Sequence, residues 1–171
     1  MGVIGNDNQN STTVKNCSLQ GTLNTTGSSG RCGSLFGYIY NKTLVIQNVS
    51  TSVYLISNTT NQGYMGMIGV TQISTITITK LTVTSTLNSP ITYRTAILIG
   101  EQGGGSLVLQ NSTITSTVTN GALTYLQACG PGIVVGITDG IGNSISIQNV
   151  VANINMAFND SFGAIVSNSY G

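Results

Sequence analysis

The stretch Met65–Leu87, "MGMIGVTQISTITITKLTVTSTL", decides the fold. It opens on a small-x-apolar-apolar-Gly box, "MGMIG" at 65–69, and ten residues past the closing glycine it reaches Thr79, around which apolar and hydroxyl residues alternate. Alternation at period two marks strands with one buried face. The box recurs as "MGVIG" (1–5), "GSLFG" (33–37), "AILIG" (96–100), "GIVVG" (132–136) and, closed by serine, "GAIVS" (163–167). Closing positions lie 32, 32, 31, 36 and 31 residues apart, and a fixed period of this size signals a stack of repeats.

A second motif follows each of the first five boxes, 10, 10, 10, 10 and 12 residues after the closing glycine, at Lys15, Gln47, Thr79, Gln110 and Gln148. One position earlier stand Val14, Ile46, Ile78, Leu109 and Ile147; three earlier, Thr12, Leu44, Ile76, Leu107 and Ile145; eight later, Leu23, Leu55, Leu87, Val118 and Met156. These columns read as inward strand positions. The alternation changes phase across Asn16, Asn48, Lys80, Asn111 and Asn149, so a corner is expected there, with Asn16, Asn48, Asn111 and Asn149 stacked as an amide ladder that Lys80 interrupts. The predicted fold is all-β: a β-solenoid (β-helix) of about five coils of ~32 residues with three short strands per coil. The coils are placed at approximately 1–32, 33–64, 65–95, 96–131 and 132–171 of a single domain. The Gly box is expected to be a strand or bend where packing leaves no room for a β-carbon.

Composition agrees. Charged residues make up 5% of the chain, against roughly 25% in an ordinary soluble protein. There is no His or Trp, and the net charge is +1, which argues against a nucleic-acid partner. Ser, Thr, Asn, Gln and 22 Gly carry the polarity; these favour strands and turns over helix surfaces. No apolar run reaches the ~18–20 residues that span a bilayer, and the first residues lack the basic and apolar regions of a signal peptide.

The boxes followed ten residues on by "IQN" or "VKNC" resemble GLUG-type repeats, whose Gly-Leu-Val-Gly boxes precede an Asn-centred strand in large secreted and surface-anchored adhesin-like proteins of bacteria and flagellated protists. The resemblance covers nearly the whole chain, although most boxes lack the paired Gly-Gly of the common pattern. It implies an extracellular, cell-surface role. Because "MGVIG" at 1–5 occupies the same place in the repeat as "MGMIG" at 65–69, the sequence is expected to start in mid-coil. The expected unit is an excerpt of a longer solenoid or a subunit that polymerises head to tail.

Chemistry is sparse. Glu101 and Asp139 follow equivalent boxes in adjacent coils, a placement that suits a carboxylate pair acting on polysaccharide; the competing reading puts both in turns. "GEQGGGS" (100–106) lacks the Lys-Ser or Lys-Thr of a phosphate loop and reads as a flexible turn. No ligand set for zinc or calcium is present, and no cofactor is expected. Of the thiols Cys17, Cys32 and Cys129, only Cys17 and Cys32 fall within one coil length; a bridge between them and unpaired thiols packed as small hydrophobes stay open.

Asn-x-Ser/Thr sequons occur at Asn10, Asn16, Asn24, Asn41, Asn48, Asn58, Asn111 and Asn159. Asn10, Asn24, Asn41, Asn58 and Asn159 fall in loops and are the candidates for N-glycosylation; the others belong to the corner. Outward positions hold Thr82, Thr84 and Thr86 and, one coil on, Thr113, Thr115 and Thr117, a hydroxyl grid that also suits ice binding. The leading expectation is a structural, non-enzymatic protein: a glycosylated subunit of a surface fibre, filament or adhesin stalk. Its partners would be itself, flanking repeats or glycans. The alternatives are a carbohydrate-active β-helix enzyme and an ice-binding protein.

Overall fold

The computed structural model describes residues 10–25, 30–57, 63–88, 96–119, 134–139, 142–157 and 166–170. They form eight strands and no helix: β1 (Ser11–Thr25), β2 (Gly30–Tyr40), β3 (Thr43–Ser57), β4 (Gly63–Asn88), β5 (Ile99–Thr119), β6 (Val135–Asp139), β7 (Asn143–Ala157) and β8 (Val166–Tyr170). The main path of the sheet runs β1-β3-β4-β5-β6-β8, with β2 also on β4 and β7 also on β5. Every pairing among them is parallel. Ser11 pairs with Thr43, Thr43 with Thr75, Thr75 with Ser106 and Ser106 with Ser144, so each strand lies one sequence period from its neighbour. The first box, at 1–5, lies outside the described residues.

Long strands stay in register while turning because the turns are single left-handed residues. Asn16, Asn48, Lys80, Asn111 and Asn149 all have φ between 50° and 54°, a conformation in which Asn is the least strained side chain after glycine. A second such column stands six residues before the Gln column: Asn41 (φ 50°), Ile73 (φ 50°), Gly104 (φ 80°) and Gly142 (φ 86°). Nothing in the hydrophobic pattern announces it. "QGGGS" is accordingly a packed corner and not a flexible turn: a β-carbon on Gly105 would run into the Ser74 backbone.

The core follows from the alternation. Ile46, Ile78 and Leu109 are fully enclosed, as are Leu44, Ile76, Leu107, Leu55 and Leu87, while Val14, Ile145 and Ile147 at the outer levels are partly buried. The phase reverses at the first corner, after which Val49, Thr51 and Val53 point in and Ser50, Ser52 and Tyr54 point out. Where the inward column carries serine, the hydroxyl is satisfied. Ser112 accepts from Leu81 N at 3.1 Å and donates to Gln110 O at 2.8 Å, and Ser85 donates to Ser116 at 3.1 Å.

The Gly boxes are tight bends. Leu35 to Gly37, Met67 to Thr71 and Ala96 to Gln102 are buried whichever way their side chains face. Backbone packs on backbone there: a β-carbon on Gly69 would stand 2.6 Å from Gly37 O and 2.8 Å from Cys32 N, and one on Gly66 would stand 2.8 Å from Leu98 O.

Ile73 is the misfit of the second corner, a β-branched residue held left-handed and 60% exposed. Its side chain contributes little packing, and the conformation costs about 1–2 kcal/mol. Ile73→Asn is therefore expected to raise stability by about 1 kcal/mol, read as a higher urea midpoint at unchanged slope.

Candidate functional site

The first corner presents a line of amides. Asn48 Nδ2 donates to Asn16 Oδ1 at 2.8 Å and Asn149 Nδ2 to Asn111 Oδ1 at 3.2 Å. Beside it Gln110 Nε2 donates to Gln148 Oε1 at 2.9 Å. Lys80 stands between the two halves of the ladder, and a shallow groove of about 360 Å³ runs past it, bordered by Asn16, Cys17, Ser18, Asn48, Ser50 and Thr82. Lys80→Asn would supply the missing amide between Asn48 and Asn111. The expected gain is about 0.5–1 kcal/mol for exposed hydrogen bonds, measured as a shift in the thermal midpoint.

On the adjoining face Thr82 pairs with Thr113, Thr84 with Thr115 and Thr86 with Thr117. One level up these continue to Ser50, Ser52 and Tyr54, and then to Ser18, Gln20 and Thr22. One level down they meet Val151, Asn153 and Asn155. The face is uncharged and nearly all hydroxyl or amide, at strand spacings of about 4.8 Å between levels.

Glu101 does not reach an open surface. It is 5% exposed, on β5 beside Val70 and Ile137. Asp139 ends β6, one step beyond the Gln102–Thr138 pair. Among the described residues no group of three His, Cys, Asp or Glu is placed to hold a metal ion, and no helix is long and apolar enough to cross a membrane.

Cys17 and Cys32 do not form the bridge that their spacing allows: both are thiols. Cys17 is level with Val49, just past the first corner, whereas Cys32 is level with Met65 on the limb that leads into a Gly box. These are different columns of the stack, so proximity in sequence does not bring the sulfurs together. Cys129 lies outside the described residues, as do the sequons at Asn58 and Asn159. Asn10, Asn24 and Asn41 are exposed.

A side-chain cluster that the sequence reading missed sits where β2 meets the second corner. The Arg31 guanidinium lies 4.3 Å from the centre of the Tyr38 ring, and the Tyr38 and Tyr40 rings stack at 6.4 Å and 16°. The Tyr38 hydroxyl donates to Gln72 Oε1 at 2.7 Å. The i, i+2 spacing of Tyr38 and Tyr40 on a strand was the available signal, since it places both on one face.

No protein-family model, curated protein or solved structure matches this chain.

Proposed function

We propose that the chain is a β-solenoid of about five coils that serves as a structural segment of an extracellular, cell-surface fibre or adhesin-like stalk, with no catalytic role. The coils stack end to end, on flanking repeats or on a second copy. The observation that carries this reading is the gradient of burial along the core columns. Ile46, Ile78 and Leu109 are enclosed, whereas Val14 and Ile147, in the same column at the outer levels, are only partly buried. The same holds for Leu23 against Leu55 and Leu87. A further level of the same stack, parallel and in register, would bury these residues and pair the outer strand edges.

Head-to-tail stacking joins unlike ends, so it propagates as an open filament instead of closing as a dimer. Low net charge favours such association. The resemblance to GLUG-type repeats supports the surface location. Negative-stain electron microscopy and light scattering of the purified chain test the assembly: filaments one solenoid wide, lengthening with concentration, are expected, and Val14→Asp should shorten them. A monodisperse monomer at high concentration overturns head-to-tail assembly.

The in-register threonine pairs favour ice binding as a second reading. Thermal hysteresis lost in Thr84→Tyr or Thr115→Tyr would support it.

A further inference from the structure

We propose that Asn41 carries an N-linked glycan whose first sugar rests on the ring of Tyr40. The proposal rests on the extracellular reading for its natural setting, while its test does not.

Four observations converge on this residue. Asn41 opens the sequon Asn41-Lys42-Thr43. It is exposed at the left-handed apex of the second corner, where its backbone N–H is bonded to Gln72 O at 2.9 Å. Its position is thus fixed by the backbone, and its side-chain amide makes no hydrogen bond among the described residues. The corner amides are committed differently: Asn48 donates to Asn16, and Asn111 accepts from Asn149.

The third observation is the surface around it. Tyr40, 51% exposed, precedes Asn41, and Ile73, 60% exposed, stands level with it one strand over, a step past the Tyr40–Gln72 pair. Two of the largest apolar exposures among the described residues therefore flank one amide. The fourth is that Tyr40 is braced: Arg31, Tyr38 and Tyr40 form a three-layer stack, which holds the outermost ring in a fixed attitude. A pyranose offers a C–H face to such a ring and hydroxyls to the water around it, so it covers an apolar patch while staying soluble. Asn10 and Asn24 are exposed too, but neither has an aromatic neighbour in sequence.

In the transfer, Nδ2 of Asn41 attacks the anomeric carbon of a lipid-diphosphate-linked oligosaccharide. The carbon–nitrogen bond forms, the carbon–oxygen bond to phosphate breaks, the lipid diphosphate departs and the amide loses one proton. The host's oligosaccharyltransferase supplies the catalysis.

The test is secretion of the full chain from a eukaryotic host behind a cleavable leader, with site occupancy read by peptide mass spectrometry. Glycan at Asn41 is expected. Trimming with an endoglycosidase that leaves the first sugar should keep a melting temperature about 2–4 °C above that of unglycosylated Thr43→Ala. In a Tyr40→Ala background the same comparison should show no difference, and Tyr40→Phe should restore it. An empty Asn41 in the wild-type chain, or an increment unchanged by Tyr40→Ala, overturns the proposal. Neither outcome bears on filament formation, which is scored separately by microscopy.

Discussion

Ile46→Asp and Leu109→Asp are each expected to unfold the stack, with losses of about 4–5 kcal/mol or more. Both side chains are 0% exposed and sit in the central column of the larger apolar cluster. A carboxylate there has no partner, and burying it unpaired is among the costliest single changes available to a protein. Thr84 is the control, because it lies with Thr82 on the exposed hydroxyl face and in no core column. Thr84→Lys should leave stability within about 0.5 kcal/mol of the parent. Far-ultraviolet circular dichroism and thermal melts of the three variants decide the matter, and the reverse order of stability would invert the inward and outward assignment.

Gly69→Val should be nearly as damaging, at about 3 kcal/mol, for a different reason: the strands must separate locally, which is the overpacking penalty at its upper range. The obstacle is backbone on both sides, Gly37 O at 2.6 Å and Cys32 N at 2.8 Å from the new β-carbon, and neither can swing aside as a side-chain tip would. Gly69→Ala should cost less than Gly69→Val and still lower the denaturant midpoint. If Gly69→Val melted with the parent, the close approach of the box limbs would be wrong.

How much of this was legible in the sequence differs from one element to the next. The first corner was legible because four of its five residues are asparagine at a fixed distance from the boxes, and because the inward columns reverse phase there. The second corner escaped because its column reads Asn41, Ile73, Gly104, Gly142: the isoleucine hides the turn chemistry that the other three advertise. The need for glycine in the boxes was visible, but its cause was not, since the contact of Gly69 with Cys32 joins residues from different repeats. The Arg31–Tyr38–Tyr40 stack was also hidden, because Arg31 reaches Tyr38 across a bend that no periodicity describes. Glu101 shows the limit of reading chemistry from spacing alone: its place in the repeat resembles that of Asp139, yet its side chain is buried.

The constancy of register has a bearing on how such a chain grows. Thr43 stands on Thr75 as Ser11 stands on Thr43, so excising the 32 residues between two equivalent positions would leave every remaining side chain facing as before. A deletion one residue longer would send each downstream core residue to the water. Unequal recombination between such copies would therefore yield folded products only in whole modules, and length becomes a trait that can drift in steps while the cross-section stays the same.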